Sequence, residues 1–281
     1  MNILEKITAH KRREVAVAKE RITLADLEKS AHFNQATNSL KSALLSVENG
    51  GIIAEFKRKS PSKGIINDQV QPEIITKGYV QAGAVGLSVL TDTEFFGGTF
   101  TDFSAARVAN PQTPLLRKDF MVDEFQLFEA KAMGADVILL IAACLLPQEI
   151  KNLGKKAKEL GMEVLLEVHD RQELEVSLCE YVDMVGVNNR NLKTFVTSIE
   201  TSLELVEAIP NEFVKISESG LKNPETIWQL RQAGYSGFLI GESFMATENP
   251  AAALENLINS FHKQAVLQAA TTQTPSSYAK N

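Results

Sequence analysis

From Gly51 onward, short apolar runs alternate eight times with stretches of helical periodicity, and nothing else in the chain narrows the fold as much. The apolar runs lie near Ile52–Phe56, Val85–Thr91, Pro114–Arg117, Ala135–Ile141, Glu163–Val168, Tyr181–Val187, Phe213–Ser217 and Gly237–Gly241. The helical stretches lie near Pro72–Ala82, Phe103–Ala109, Glu124–Met133, Pro147–Leu160, Gln172–Cys179, Ile199–Ala208, Pro224–Ala233 and Ala251–His262. Strands that alternate with helices pair in parallel. Eight such units in roughly 230 residues have the size of an α/β (β/α)8 barrel, the TIM barrel. A doubly wound sheet is the alternative, weakened because neither G-x-G-x-x-G nor G-x-x-x-x-G-K-[ST] occurs. Local signals agree with the alternation. Asp170 and Glu173 have capping-box spacing, Gly134 and Gly161 stand where helices should stop, and Pro147 and Pro224 suit first-turn positions.

Three shorter helical patterns precede the alternation, over Ile3–Lys19, Leu24–Lys29 and Ser39–Val47. Residues 1–50 therefore read as a helical extension packing over one end of the main fold, residues 51–263 as the barrel, and residues 264–281 as a disordered tail. The net charge of −6, from 35 acidic and 29 basic residues, argues against a nucleic-acid partner. A local cluster of cations could still hold an anionic small molecule. No apolar run reaches membrane-spanning length and the N-terminus lacks a signal-peptide core, so no membrane partner is expected. The two cysteines, Cys144 and Cys179, imply no disulfide framework and suit a cytoplasmic setting.

In a (β/α)8 barrel the C-terminal ends of the strands converge on one mouth. Alternate residues of a strand face opposite sides. The first strand runs into IIAEFKRKSPSKG, where Ile53, Glu55 and Lys57 share one side and Phe56 takes the other, against the helices. The third strand ends in LLRKDF, with Lys118 on the side of Leu116. The fifth ends in LLEVHD, with Glu167 on the side of Leu165. In GVNNRN of the sixth, Gly186, Asn188 and Arg190 share a face. One charged strand end is ordinarily just solvated. Acids and ammonium groups at the ends of strands one, three and five form a set that can deliver and remove protons in one water-poor cavity.

The seventh and eighth strands end in Glu218-Ser219-Gly220 and Gly241-Glu242-Ser243, small-residue turns at the positions where this fold often binds phosphate. Glycine lets backbone N–H groups approach an anion closely. The carboxylate of Glu242 would have to point away from it. Phe95 or Phe96, in the loop TDTEFFGGTFT, could wall an aromatic substrate, with Phe120 and Leu139 as further apolar walls or as ordinary core. Glu218 and Leu239, at the ends of the seventh and eighth strands, are expected to join these substrate contacts. The four histidines are scattered without metal-ligand spacing, and His169 reads as structural. Chemistry would rest on Lys and Glu, with no cofactor and no metal.

These segments, in this order, resemble the indole-3-glycerol-phosphate synthase family: IIAEFKRKSPSKG, GLSVLTDTEFFGG, LLRKDFMVDEFQ with GADVILLIAA, LLEVHD, VGVNNRNL, ISESGL and FLIGESFM. ILEKITAHKRREV resembles the extra helix before that family's barrel, so the resemblance spans about residues 3–262. It implies a cofactor-free carboxy-lyase of tryptophan biosynthesis. The substrate would be an anionic phosphosugar, 1-(2-carboxyphenylamino)-1-deoxyribulose 5-phosphate, closed to indole-3-glycerol phosphate with release of carbon dioxide and water. The resemblance makes Lys118 the general acid at the ribulose carbonyl and Glu167 a general base or hydroxyl partner. Lys57 contacts the carboxylate or acts as a second acid, Glu55 orients these groups, and Asn188 and Arg190 position the substrate. Ser60 contacts the substrate carboxylate. Ser219, Gly220, Gly241 and Glu242 form the phosphate cradle, largely through backbone. A monomer is expected. A different phosphosugar barrel enzyme would share the phosphate turns but not SPSKG and KDF together. A mere binder of an anionic metabolite would not need the proton-transfer set.

Overall fold

The computed structural model describes residues 3–46, 50–191 and 194–272, with side chains as far as residue 264. Eight parallel strands close in chain order: β1 (Ile52–Phe56), β2 (Gly86–Leu90), β3 (Leu115–Lys118), β4 (Val137–Ile141), β5 (Glu163–Val168), β6 (Met184–Asn188), β7 (Val214–Glu218) and β8 (Gly237–Ile240). β1 pairs Ile52 with Phe238 of β8 and Ile53 with Gly86 of β2. The barrel strands thus have no free edge, which excludes the doubly wound alternative. A helix follows each strand and covers the outside. Among the described residues no helix is long and apolar enough to cross a membrane.

Strand parity divides the core in two. Ile53, Leu116, Leu139, Leu165 and Leu239 point into the barrel, whereas Ala54, Phe56, Leu115, Leu140 and Leu166 pack outward against the helices. Such alternation requires apolar residues on both faces, so parallel strands read as continuous apolar runs. The helix stops are local chemistry. Gly134 and Gly161 adopt φ of 83° and 76°, which costs a glycine little. Pro147 and Pro224 open their helices.

The helix expected from Phe103 starts earlier, at Phe100, because the Thr99 hydroxyl accepts from the Asp102 backbone N–H. TDTEFFGGTFT is no open loop. Asp92 accepts from the N–H groups of Phe95 and Phe96 and caps the short helix Thr93–Phe96. The SPSKG segment folds as a small antiparallel ladder of Lys59–Ser60 with Gly64–Ile65. The stretch expected over Ile199–Ala208 splits into an α-helix, Glu200–Leu205, and a 3-10 turn, Val206–Ala208. The final helix, Pro250–Thr272, runs beyond Lys263. Residues 273–281 of the expected tail lie outside the described residues, as does Val47 of the third N-terminal stretch.

The N-terminal extension does more than cover one end. Its first helix, Ile3–Arg21, brings Ile3, Leu4 and Ile7 to the C-terminal mouth of the barrel. Its third, Leu40–Leu45, inserts Leu40 and Leu44 at the opposite end, against the starts of β2 and β8. On the first helix, Lys11 is 2% exposed and sits among Glu14, Asp92 and Asp119, at 2.9, 3.1 and 3.0 Å. Burial alone would lower the pKa of this ammonium group. The carboxylates of Asp119, Asp92 and Glu14 more than offset that, so the net shift is upward.

Candidate active site

At the C-terminal mouth lies a cavity of about 580 Å³, within the usual range of small-molecule sites. Sixteen residues singled out in the sequence line it: Glu55, Lys57, Ser60, Phe96, Lys118, Phe120, Leu139, Glu167, Asn188, Arg190, Glu218, Ser219, Gly220, Leu239, Gly241 and Glu242. Each charged group stands where its strand's parity puts it. Glu55 is the fourth residue of β1, and Lys57, just past the strand, turns back to it with Nζ 2.8 Å from Oε1. Ser88 of β2 donates to Glu55 Oε2 at 3.2 Å.

Lys118 is the hub. Its Nζ donates to Glu167 Oε2 at 2.9 Å and to Glu218 Oε2 at 2.7 Å. Burial works against its charge, but Glu167, Glu218 and Glu55 hold the ammonium ion well above its ordinary pKa. The two glutamates are not equivalent. Glu167 Oε1 accepts from Asn188 Nδ2 at 3.1 Å, whereas Glu218 Oε1 is buried without a hydrogen bond. Burial pushes both carboxyls up. The nearby Lys118 and His169, with the hydrogen bonds from Lys118 and Asn188, reverse this for Glu167, whose pKa is lowered. For Glu218, burial outweighs the single ammonium, and the Glu167 and Glu55 charges add to it, so its pKa rises to about 7. Two carboxylates sharing one cation cannot ionise alike, and the proton of the pair goes to the less well-solvated member.

Glu218, expected only as a substrate contact, pairs directly with Lys118. The sequence shows it heading a glycine turn, and only barrel closure carries it across to Lys118. Gly186 of β6 makes the room. A Cβ there would stand 2.3 Å from Glu218 Oε1 and 3.2 Å from Leu165 Cδ1. Gly241 does the same for Glu55, whose Oε1 would lie 2.7 Å from an added Cβ.

The mouth is closed by side chains from different loops. Arg190 donates to Ser62 Oγ of the SPSKG segment and, at 3.4 Å, to Glu242 Oε2. Lys63 Nζ is 3.8 Å from Glu242 Oε1. The Glu242 carboxylate is thus occupied by two cations. Ser219 and Gly220 both have left-handed backbone, with φ of 68° and 75°. Successive residues in such turns present their N–H groups to one concavity suited to an anion.

Opposite the charges is an apolar wall. The rings of Phe96 and Phe120 tilt against each other at 6.0 Å, beside Leu139. Phe95 turns away and meets His10 edge-on at 5.6 Å. Ile3, Leu4, Ile7 and Phe195 also line the cavity and were not foreseen. They lie in the extension and in the β6 loop, where periodicity says which face is apolar but not what it covers. Cys144 is no nucleophile, because burial pushes its thiol up to about 12.

A sequence profile of the family described as Indole-3-glycerol phosphate synthase matches residues 4–257. An indole-3-glycerol phosphate synthase of Bacteroides thetaiotaomicron is 47% identical over 257 residues, covering 92% of this chain and 98% of that protein. One from Laribacter hongkongensis is 46% identical over 260 residues, covering 91% and 98%. Among solved structures, tryptophan synthase subunit alpha from Legionella pneumophila str. Paris superposes with a TM-score of 0.60 at 14% identity, over 83% of this chain and 100% of that one. That last likeness is one of fold alone.

Proposed function

The chain belongs to the indole-3-glycerol phosphate synthase family, and from that premise we infer that it is a carboxy-lyase of tryptophan biosynthesis. Its reaction converts 1-(2-carboxyphenylamino)-1-deoxyribulose 5-phosphate into indole-3-glycerol phosphate, carbon dioxide and water. The observation that carries the reading is the convergence of Lys57 and Lys118 with Glu55, Glu167 and Glu218 in one cavity beside the Phe96–Phe120 wall.

The anthraniloyl ring lies against the apolar wall, and the phosphate lies at the turns of Ser219–Gly220 and Gly241–Glu242, held chiefly by backbone N–H groups. Ser60 and Lys57 take the ring carboxylate. Lys118 donates a proton to the ribulose carbonyl as the ring carbon attacks, and loss of carbon dioxide then restores the aromatic electrons. Dehydration needs an acid at the departing hydroxyl and a base for the remaining ring proton. Glu167 and Glu218 divide these tasks, with Glu55 orienting Lys57 and Asn188 and Arg190 positioning the sugar. A group whose pKa lies near the working pH makes the most effective proton carrier, and Glu218 is the one so placed. Residues 51–263 serve as the catalytic barrel, with 1–50 as its extension. A monomer in the cytoplasm, with no nucleic-acid or membrane partner, completes the proposal.

The test is direct. Purified protein given the anthranilate-ribulose phosphate should produce indole fluorescence without added metal or cofactor. Well-folded protein that yields no indole product would overturn the reading.

A further inference from the structure

Immediately behind the acid–base cluster is an imidazole that the reaction scheme does not use. His169 follows Glu167 by two residues, so the end of β5 directs both side chains the same way. Its side chain is 11% exposed and does not line the cavity. Both ring nitrogens face carboxylates. Nε2 is buried 3.4 Å from Glu167 Oε1, and Nδ1 lies 3.1 Å from Glu173 Oε2. The same Glu173 oxygen accepts from the His169 backbone N–H at 2.8 Å. The Asp170 cap fixes Glu173 in turn, by accepting its backbone N–H at 2.8 Å. This is half of a capping box, with the Glu173 side chain reaching one residue further back than usual. The ring is thereby clamped at one end and aimed at Glu167 with the other.

We propose that His169 is a positioning residue, an imidazolium wedged between Glu167 and Glu173 that keeps Glu167 oriented and ionised, so that the proton shared by the two active-site glutamates stays on Glu218. Three elements face the ring with titratable carboxyls: β5 with Glu167, the following helix with Glu173, and β7 with Glu218. The Cys144 thiol, near the same Glu167 and Glu173, stays neutral, and Asn188 carries no charge. Lys118 stands beyond Glu167 on its other oxygen. Burial lowers the imidazole's pKa, but the Glu173 hydrogen bond and the charges of Glu167 and Glu173, with a smaller contribution from Glu218 whenever it is ionised, raise it further than burial lowers it. With the ring neutral, buried Glu167 would keep only Lys118 as a cationic neighbour and would lose the opposite charge facing its second oxygen.

The proposal rests on Glu167 belonging to the acid–base set, and the test separates the two. His169→Asn is uncharged and too short to reach Glu167, whereas His169→Gln reaches it as a neutral donor. His169→Asn should lower kcat roughly 10-fold to 100-fold while leaving KM within about twofold, because a misplaced catalytic group costs rate and the ring does not touch substrate. In both variants the acid limb of the kcat profile should move to higher pH by about one unit, the effect of losing an opposite charge within a few ångströms. His169→Gln should recover part of the plateau rate but keep the shifted limb. A merely structural histidine would leave the limb where it is, and an unmoved limb in folded variants overturns the proposal. Nitrogen-15 NMR titration of the His169 ring, in the wild type and in Glu167→Gln, needs no His169 variant to fold. Its ionisation should fall by about one unit in Glu167→Gln, and an unchanged ring titration also overturns the proposal. Full turnover by Glu167→Gln would instead sink the catalytic reading of Glu167.

Discussion

Lys118 stands between two carboxylates that differ in little but their other neighbours, and that difference decides which one titrates near neutrality. Lys118→Ala should reduce kcat by at least ~10²–10⁴-fold, the worth of a positioned acid, in steady-state assays of folded protein. Glu218 supports a separate test by stability. Its folded-state pKa, about 7, lies above the ordinary carboxylate value, so the folded protein holds that proton more tightly than the unfolded chain. The associated stability is full in acid, below the unfolded pKa, and is lost as pH rises through about 7. Glu218→Gln cannot lose a proton and should escape that loss. Its Tm should match or trail the wild type near pH 4 and gain on it by several degrees by pH 8, since each kcal/mol is worth about 2–4 °C in a chain of this size. Glu167 contributes with the opposite sign, present above its unfolded pKa and lost in acid, but it does so in both proteins. A Tm difference that does not widen with pH would show that Glu218 holds no such proton.

At the scale of elements, the first helix is pinned to the barrel through charge. Lys11 reaches Asp92, which caps the short helix bearing Phe96, and Asp119, which adjoins both Lys118 and Phe120. Arg117 and Thr91 hold the other oxygen of Asp119. Burial raises the pKa of Asp119, but Arg117 and Lys11 more than reverse this and keep it ionised. Removing one member of such a cluster strands the rest. Lys11→Ala should cost about 3–5 kcal/mol, measured by denaturant unfolding. A cost below ~1 kcal/mol would mean that water replaces the ammonium group. Much of this element-level order was readable beforehand. The Asp170 cap and the glycine stops at Gly134 and Gly161, all expected from the sequence, act locally, within a turn of the backbone they serve. The Thr93–Phe96 helix was missed because a four-residue helix has no periodicity to detect, and the early start at Phe100 because the Thr99 cap, not an apolar period, sets it.

Across the whole molecule, one extension serves both ends of the barrel. Ile3, Leu4 and Ile7 wall the mouth, and Leu40 and Leu44 close the far end. The two jobs should separate on mutation. Leu44→Ala removes a side chain that is 3% exposed, next to Gly237 and Ile216, and should cost about 2–5 kcal/mol of stability. Turnover at 25 °C should stay near that of the wild type, because the cavity is at the other end of the strands. A kcat loss of 10-fold or more in folded Leu44→Ala would show that the two ends are coupled.

By itself, the sequence determined the eight-fold alternation, the inward side of each strand and the charged residues at the strand ends. These are local properties: parity, caps and apolar period act over a few residues, and the barrel follows from repeating them. Only the tertiary structure decided how those charges pair. Lys118 and Glu218 are far apart in the chain, and a hydrogen bond of 2.7 Å between them exists because closing the sheet brings strands three and seven to one mouth. It likewise decided that His169, which the sequence suggests is merely structural, stands behind Glu167, and that the extension reaches both ends of the barrel. Burial and pairing set a proton's place in such a cluster, and neither exists until the strands have closed around it.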